Sequence, residues 1–325
     1  MTSPSTPATT SRWDGLLEST VVGSFTSIGH RIRSRHWTPV DTDSLSGQVV
    51  VITGATSGIG MEVATMMASY GSRLRIVARN PEKAERLRNE LISDSGNDDI
   101  RIYLADLSLM SEVERVADEI LAGEPEIHVL VNNAVILPAD RTMTSEGLEL
   151  AHATNLVAPF LLTNALIPRL VTSAPARIIN AISGGMYTQG LALDDLNSKE
   201  GEYHGSVAYA RAKRGLMVLT KMWADQLAGT GVTVNATHPG WVNTPGVKDS
   251  LPGFHKVMGP LLRTTEQGAD TVVWLASATV GGQQTGKLWH DREIRSEYKL
   301  KKTIETSSDR NELWKQLTET VAVVS

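Results

Sequence analysis

Short apolar runs alternate with longer amphipathic segments along most of the chain. Residues 49–53 form a β-branched run followed directly by glycines, which is typical of a buried parallel strand. Further strands are expected at residues 74–78, 101–104, 128–131, 177–182, 233–237 and 286–289. Helices are expected at residues 58–70, 82–92, 112–121, 145–170, 207–227 and 266–277. This alternation predicts one α/β domain, a doubly wound parallel sheet of about seven strands with helices on both faces.

Both ends of the chain extend beyond this alternating region. Residues 1–11 form a polar tail, and the apolar residues between Trp13 and Ile32 recur at helical spacing. They predict one amphipathic helix, ending in a basic cluster at 31–35, that either packs on the main domain or contacts a membrane surface or substrate entrance. We therefore expect a tail and helix over 1–45, the alternating domain over 46–290, and an extension with a helix near 312–321 over 291–325.

Composition and charge exclude several classes of protein. The 325 residues are 41% hydrophobic and 21% charged, the balance of a globular protein with a large core. The absence of cysteine rules out disulfides, thiolate catalysis and cysteine-ligated metal sites, and is compatible with a cytoplasmic location. A net charge of -5 without a basic stripe does not favour nucleic acid as a partner. We find neither a secretory signal nor an apolar run approaching the ~20 residues that span a bilayer.

Two long loops leave the carboxyl ends of predicted strands, where open α/β sheets bind ligands. They cover residues 184–206 and 241–263. Carboxylates in the first loop, Asp194, Asp195 and Glu200, favour a solvated acidic loop over a metal site, and the histidines have no metal-motif spacing. The apolar residues of both loops predict a pocket for a lipophilic substrate; they are Met186, Leu191, Leu193, Trp241, Leu251, Phe254 and Met258.

A glycine-rich segment joins the first strand to the first helix. It reads Thr53-Gly-Ala-Thr-Ser-Gly-Ile-Gly60, and its glycines allow a tight turn and a close approach of backbone to a pyrophosphate at the helix N-terminus. The spacing of Gly54, Gly58 and Gly60 is GxxxGxG rather than GxGxxG. Its position between a strand and a helix favours a dinucleotide site over a glycine turn without a ligand.

Further motifs follow in a fixed order along residues 48–288. They are Asp106-Leu107, Asn132-Asn133-Ala134, Asn155, Ser183, Tyr209-Ala-Arg-Ala-Lys213 and His238-Pro239-Gly240 with Thr244. Together with the glycine segment, this set resembles the short-chain dehydrogenase/reductase family. Details such as Ser183-Gly-Gly-Met186 look like the branch that contains dehydrogenase/reductase SDR family member 12, a relative of the retinol-dehydrogenase-like members.

The resemblance implies a Rossmann fold, a nicotinamide cofactor and the interconversion of an alcohol with a ketone or aldehyde. It also implies that Ser183 binds the reacting oxygen and that Asn155 holds a water leading protons toward Lys213. Dimers and tetramers are common in the family, so the C-terminal helix is a candidate for contact with a partner subunit. The implied cofactor-binding residues are Thr53, Gly54, Ser57, Gly58, Ile59, Gly60, Arg79, Asp106, Leu107, Asn132, Asn133, Ala134, Tyr209, Lys213, Pro239, Gly240, Val242 and Thr244.

Carbonyl reduction needs a proton donor, and a phenol with a pKa of about 10 needs help at neutral pH. Lys213, one helical turn from Tyr209, provides a cation expected to lower the pKa of that phenol by about 1–3 units. Tyr298 and Lys302 have the same spacing, but they lie beyond the last predicted strand in a charged stretch. We expect that second pair to be solvated and Tyr209 to act as the general acid/base.

The second predicted strand ends in Arg79 without an acidic residue. An arginine there favours the 2′-phosphate of NADP, whereas an acid would bind the ribose hydroxyl of NAD, so NADP(H) is expected over NAD(H). Val135 replaces the glycine that usually follows the Asn-Asn-Ala motif, which predicts crowding on the adenine-ribose side. Ser183 and Tyr209 are also about twice as far apart as is usual in the family. The retinol-dehydrogenase-like branch has room for such an insert, so residues 184–206 are expected to form a loop over the substrate mouth. Val135 leaves open the alternative of an NADP-binding scaffold or regulatory protein without turnover, although the intact catalytic motif argues against it.

Overall fold

The centre of the computed structural model, which describes residues 12–18 and 20–324, is a single eight-stranded sheet. Its order is β3-β2-β1-β4-β5-β6-β7-β8, and all neighbours are parallel except β7 and β8. The chain reverses its direction of winding between β1 and β4, the position where doubly wound sheets bind nucleotides. The strands are β1 (Val49–Thr53), β2 (Arg73–Ala78), β3 (Ile100–Leu104), β4 (Val129–Asn132), β5 (Ala176–Ala181), β6 (Val232–Thr237), β7 (Leu288–His290) and β8 (Glu293–Arg295).

Helices cover both faces of the sheet and bury its β-branched side chains. Every residue of β1 is buried, as expected for a central strand of a parallel sheet. The helices are α1 (Arg12–Glu18), α2 (Val21–Phe25), α3 (Ser27–Arg33), α4 (Gly58–Ser69), α5 (Pro81–Ser95), α6 (Met110–Gly123), α7 (Leu150–His152), α8 (Ala158–Thr172), α9 (Gly205–Gln226), α10 (Pro245–Ser250), α11 (Pro252–Met258), α12 (Thr265–Ser277), α13 (Thr279–Gln283) and α14 (Ser307–Val324). One apolar cluster lies under α4, α5 and α12, and the other under α6, α8 and α9.

The predicted α/β class and doubly wound sheet are confirmed, with two differences in detail. The sheet has an eighth strand, formed when the chain turns back at Asp291 and Arg292, both at positive φ. The helix expected from residue 145 begins only at Leu150, and residues Ala153–Val157 form a π-helical turn between α7 and α8. The residues before it are held in a turn by a bridge between Met143 and Glu149.

The N-terminal segment differs from the single helix that its periodicity predicts. It forms α1, α2 and α3, with extended backbone at Thr20 and Thr26 between them. The Thr20 hydroxyl caps α2 by accepting a hydrogen bond from the Gly23 N–H, so α2 begins as a separate helix after this residue. A Cβ at Gly29 would lie 2.4 Å from the Gly23 carbonyl oxygen, which shows how closely α2 and α3 approach. The predicted polar tail, residues 1–11, lies outside the described residues.

The C-terminal helix α14 packs against its own domain. Leu313 and Leu317 are fully buried, and the Trp314 ring meets Phe160 edge-on at 5.0 Å between centroids. These side chains are therefore covered within the chain, and contact of this helix with a partner subunit stays a prediction.

Contrary to the expectation from the sequence, one helical stretch in the described part of the chain, residues 150–172, is long and apolar enough to cross a membrane. Two thirds of its most apolar window is buried inside the fold, which is the behaviour of a core helix.

Candidate active site

The glycine segment is held tightly against the end of β4. The Thr53 hydroxyl accepts hydrogen bonds from the N–H groups of Asn133 and Ala134, both at 3.0 Å. Gly54 has a φ of +68°, and a Cβ there would lie 2.6 Å from the Ala134 Cα. A Cβ at Gly60 would lie 2.3 Å from the Asn133 amide nitrogen. The glycines are therefore required by the close approach of two backbone segments at the β1–β4 crevice.

Helix α4 begins immediately after this turn. Its N-cap residue, Ser57, makes no capping hydrogen bond with its side chain. Thr244 lies above the turn, since its methyl group would be 3.4 Å from a Cβ at Gly58. Ile59 faces away from the crevice, because its side chain approaches Gly268 of α12.

The Asn132-Asn133-Ala134 motif has two structural functions. The Asn133 amide donates to the carbonyl oxygens of Thr53 and Gly54, both at 3.1 Å. The buried Asn132 amide donates instead to Asn180 and Thr163, at 2.8 and 2.9 Å. Asn133 therefore braces the glycine turn, whereas Asn132 links β4 to β5 and α8.

Val135 is 53% exposed, and the close contact at Gly54 involves Ala134 rather than this side chain. The predicted crowding by Val135 stays a prediction.

Arg79 and Asp106 face each other at the ends of β2 and β3. The Arg79 guanidinium lies 3.7 Å from the Asp106 carboxylate, and the arginine side chain is 67% exposed. Asp106 also accepts hydrogen bonds from the N–H and hydroxyl of Ser108, at 3.0 and 2.7 Å. Leu107 is nearly buried beside it and lines a small cavity with Thr53 and Ala134. The arginine is thus accessible at the edge where the adenosine side of a dinucleotide would lie.

Ser183, Tyr209 and Lys213 come together across β5 and α9. Ser183 follows β5 and caps a short 3₁₀ turn, its hydroxyl accepting from the Gly185 N–H at 3.2 Å. Tyr209 and Lys213 lie in the first turns of α9, with the lysine Nζ 5.9 Å from the tyrosine ring centroid. The Lys213 ammonium donates to the Ala181 carbonyl oxygen at 2.8 Å. A Cβ at Gly185 would make ordinary contact with Ala210, so the serine turn lies against α9 next to Tyr209.

Burial changes the protonation of both α9 residues. Lys213 is only 2% exposed, and this burial lowers its pKa to about 7. Burial raises the pKa of Tyr209 above its ordinary value, while a hydrogen bond with Ser183 acts in the opposite direction. In the chain without a cofactor, desolvation therefore raises the pKa of Tyr209, and the expected lowering of that pKa by Lys213 stays a prediction.

Asn155 lies fully buried in the π-helical turn. Its side-chain amide donates to the Ile136 carbonyl oxygen at 2.8 Å, and its oxygen accepts from the Ile136 N–H at 2.9 Å. The side chain therefore fixes the segment after β4 to the start of α8. A π-turn offsets the backbone hydrogen bonds of a helix and is frequently found at functional sites.

The His238-Pro239-Gly240 turn follows β6 and borders the same edge of the sheet. Gly240 has a φ of +81°, and Val242 is buried and paired in a bridge with Arg263. The Pro239 carbonyl oxygen accepts a hydrogen bond from the Arg263 guanidinium at 3.3 Å. Arg263 thus ties both ends of the 241–263 loop to this turn.

The predicted apolar wall is only partly assembled. Trp241 and Phe254 meet edge-on at 5.0 Å in the second loop, with Leu251 and Met258 partly exposed nearby. Met186, in contrast, is fully buried in the core. Leu193 lines a separate cavity of about 260 Å³ between the first loop and α14.

Of the three acidic residues singled out in the first loop, Asp195 has local partners, whereas Asp194 and Glu200 are exposed. Asp195 accepts a hydrogen bond from the Lys199 N–H at 2.7 Å, which stabilises the loop itself. Among residues 12–18 and 20–324 no three histidine or acidic side chains are arranged to hold a metal ion.

The second Tyr-x-x-x-Lys pair is not solvated as expected. The Tyr298 hydroxyl donates to the buried Glu305 carboxylate at 2.6 Å and accepts from Lys221 at 3.3 Å. Lys302 is exposed. This tyrosine belongs to an ion network that fastens the C-terminal extension.

One group of residues beside the site has no local sequence signal. Phe25 contacts the turns after β5 and β6, and the buried Asp291 pairs with Arg33 and Arg263. Their partners come from opposite ends of the chain, so spacing and motifs do not reveal them.

Known proteins share the sequence pattern of this chain. The family model for short chain dehydrogenase matches residues 48–253. The chain belongs to the short-chain dehydrogenase family. It is 38% identical to dehydrogenase/reductase SDR family member 12 of Bos taurus over 83% of this chain and 84% of the relative. It is 36% identical to retinol dehydrogenase 12 of Homo sapiens over 76% and 78%.

Several solved structures share the fold of this chain. An uncharacterized protein from Mycobacterium paratuberculosis superposes with a TM-score of 0.71 at 25% identity, covering 88% of this chain and 97% of its own. A Pseudomonas aeruginosa RhlG/NADP complex has a TM-score of 0.63 at 26% identity, covering 76% and 95%. A Brucella melitensis 3-ketoacyl-(acyl-carrier-protein) reductase with NADH has a TM-score of 0.60 at 25% identity, covering 75% and 96%. Family membership makes this chain an oxidoreductase of alcohol or carbonyl groups that uses a nicotinamide cofactor.

Proposed function

We propose that this short-chain dehydrogenase is an NADP(H)-dependent enzyme that interconverts a lipophilic alcohol with its ketone or aldehyde, with Tyr209 as general acid/base. The observation that carries this proposal is the meeting of Ser183, Tyr209 and Lys213 across β5 and α9, at the carboxyl edge of the sheet. We also propose that the catalytic domain covers residues 46–290, between an N-terminal segment over 1–45 and a C-terminal extension over 291–325.

The geometry supports separate tasks for these side chains. Tyr209 donates its phenolic proton to the carbonyl oxygen during reduction and takes a proton back during oxidation. Ser183, on the turn that lies against α9 next to Tyr209, orients the same carbonyl oxygen. Lys213 in its charged form stabilises the tyrosinate that remains. Asn155 holds the neighbouring backbone in a π-turn. A backbone carbonyl oxygen there can accept a hydrogen bond from a water molecule that relays protons toward Lys213.

The residues around the glycine turn fit a dinucleotide. The space beside Gly54 and Gly60 admits no Cβ. The side chain of the N-cap residue of α4 makes no capping hydrogen bond, so the N–H groups of the first turn are left to bind a ligand. These donors favour a pyrophosphate. A nicotinamide supplies the hydride to the substrate carbon in reduction, accepts it in oxidation and, when oxidised, adds positive charge near Tyr209.

The choice of NADP over NAD rests on Arg79. Arg79 follows directly after β2, and its guanidinium is exposed. An arginine at this position matches the charge and geometry of a 2′-phosphate. Asp106, at 3.7 Å, is the neighbouring group with which a phosphate would compete.

A lipophilic substrate is supported by the apolar side chains of the second loop. Trp241 and Phe254 form an edge-on pair there. We expect hydrophobic ketones to be reduced in preference to small polar ones, and equal turnover of both would contradict this assignment.

Titration of the purified protein with NADPH and NADH, followed by a panel of aldehydes and ketones, tests the proposal. The wild type should bind NADPH and turn over, Tyr209→Phe should bind but not turn over, and Tyr298→Phe should behave as the wild type. Binding without turnover across the panel would favour the NADP-binding scaffold. Failure to bind either cofactor would overturn both interpretations.

We also propose a cytoplasmic location with peripheral membrane contact through the N-terminal segment. Four aliphatic side chains of α2 and α3 are exposed although the segment is docked on the domain; they are Val21, Val22, Ile28 and Ile32. Arg31 and Arg35 are exposed beside them, which suits an anionic lipid surface. Replacing the four aliphatics by serine should abolish flotation with anionic liposomes, whereas unchanged flotation would refute the contact.

A further inference from the structure

The ring of Phe25 lies behind two turns of the active site. It is 4% exposed and meets the His238 ring edge-on, with 4.4 Å between centroids. A Cβ at Gly184 would lie 2.9 Å from the Phe25 ring, so the residue next to Ser183 rests directly against it. The ring also meets Trp241 edge-on at 5.9 Å. One side chain thus fills the space between the serine turn and the turn after β6.

The backbone of Phe25 reinforces this position. Its carbonyl oxygen accepts hydrogen bonds from the Trp241 N–H at 2.8 Å and from the Arg263 guanidinium at 3.0 Å. A Cβ at Gly240 would lie 2.7 Å from the same oxygen. The glycine is therefore needed for the N-terminal segment to reach the turn.

Buried charges anchor the segment on both sides of Phe25. The Arg33 guanidinium donates to Asp291 and to Asp14, each at 2.7 Å, and its side chain is 5% exposed. Asp291 also pairs with Arg263, the residue that holds the Phe25 carbonyl group. Such an assembly is costly to open, because separating any partner leaves a buried charge without compensation.

We propose that Phe25 is a positioning residue for the active site. Its ring and carbonyl group hold the Ser183 turn and the Gly240 turn at a fixed separation, and residues 20–36 act as an internal clamp rather than an accessory extension. In the proposed function the serine turn orients the reacting oxygen, and the Gly240 turn borders the same edge of the sheet, so the clamp determines how Ser183 is presented to the substrate. This effect on catalysis rests on the proposed function, whereas the clamp itself does not.

Phe25→Ala in the full chain tests the clamp, with Phe160→Ala as the matched control. Both phenylalanines are 4% exposed, and Phe160 packs against Trp223 and Trp314, on the side of α14. Phe25→Leu, which keeps apolar bulk, serves as the conservative variant if Phe25→Ala does not fold. Each variant is compared at a temperature where it is fully folded.

Hydrogen exchange of the cofactor-free protein gives a readout that does not depend on turnover. We expect the amides of Gly185 and Trp241 to exchange about tenfold faster or more in Phe25→Ala, and to be unchanged in Phe160→Ala. In the presence of NADPH and a reactive carbonyl, kcat/KM should fall roughly ten- to a hundredfold in Phe25→Ala only. The pH midpoint of that rate should also shift, because Ser183 is displaced relative to Tyr209, and Phe25→Leu should restore most of the loss.

Equal exchange and equal kcat/KM in the two alanine variants would overturn the proposal and leave Phe25 a core residue only. If the wild type neither binds a nicotinamide cofactor nor turns over, the proposed function fails. The exchange rates of Gly185 and Trp241 then still decide whether the clamp exists.

Discussion

The Nζ of Lys213 lies 5.9 Å from the ring centroid of Tyr209, in a position with only 2% exposure. This burial lowers the lysine pKa to about 7, whereas the unfolded chain has the ordinary value of 10.5. Between these values the unfolded state binds a proton that the folded state does not. The free energy of unfolding should therefore rise with pH, by at most about 1.4 kcal/mol per pH unit.

Lys213→Met should remove this rise. Urea unfolding between pH 7 and 9 measures how the free energy of unfolding changes with pH. This range lies below the ordinary pKa of tyrosine, so tyrosines do not contribute to the slope. Lys83→Met is the control, since Lys83 is exposed and makes no ion pair within the described part of the chain. An identical pH slope in wild type and Lys213→Met would show that the lysine is not desolvated as the geometry indicates.

Gly60→Ala should weaken binding of NADPH and also lower the free energy of unfolding. The new Cβ would lie 2.3 Å from the Asn133 amide nitrogen and 2.4 Å from the Gly54 carbonyl oxygen, so the glycine turn must shift. We expect the dissociation constant to rise at least about tenfold, equivalent to about 1.4 kcal/mol. Fluorescence titration measures the affinity, and calorimetry checks that the variant is folded.

Gly253→Ala provides the comparison for this substitution, because a Cβ at Gly253 meets nothing within 4 Å. Equal NADPH affinity in Gly60→Ala and Gly253→Ala would mean that the turn does not hold the cofactor.

The parts of this protein that are predictable from sequence are those in which adjacent residues determine the structure. The run from Val49 to Gly60 specifies a strand, a tight turn and a helix start, and Ser183 and Tyr209 follow from their places after a strand and in a helix. Parallel strands bring such positions to one edge of the sheet. The site's candidate residues were therefore predictable, while the pKa directions of Tyr209 and Lys213 depend on burial, which the motif does not encode.

The remaining features depend on contacts between distant parts of the chain. Arg263 and Phe25 are 238 positions apart, and neither belongs to a recognisable pattern. The eighth strand is three residues long, and its turn places Asp291 and Arg292 at positive φ without the usual glycine or asparagine. The turn is held by contacts with distant residues: Asp291 pairs with Arg33 and Arg263, and Arg292 pairs with Asp270.

Asp291→Asn should destabilise the folded protein by about 3–5 kcal/mol, because the buried Arg263 loses the carboxylate with which it pairs and Arg33 is left with Asp14 and Glu18 alone. Burial alone would raise the pKa of Asp291, but His290, Arg263 and Arg33 together hold it well below its ordinary value of 3.8. The carboxylate therefore contributes stability that is complete above about pH 4 and declines as the pH falls below it. Urea unfolding at pH 7 and at lower pH measures both effects.

Asp94→Asn, at an exposed position of α5, is the control for the loss of one charge. Equal stability of the two variants at pH 7 would show that Asp291 does not hold the N-terminal segment in place.

Arg79→Asp should change the preference from NADPH toward NADH. The substitution removes the cation that faces a 2′-phosphate and provides a carboxylate that can accept a hydrogen bond from the ribose hydroxyl. Arg79 is 67% exposed and contacts only the edge of Asp106 at 3.7 Å, so its loss should leave the fold intact. We expect the ratio of the two dissociation constants to change by about tenfold or more.

Fluorescence titration with both cofactors measures this ratio, and Arg86→Asp corrects for the general effect of two units of charge. Arg86 is exposed on α5, close in sequence to Arg79, and forms no ion pair among the residues that the structure describes. If Arg79→Asp and Arg86→Asp change the ratio equally, the preference arises from overall charge. A selective change in Arg79→Asp would instead identify the end of β2 as the point where the two cofactors are distinguished, since the pyrophosphate and nicotinamide are common to both.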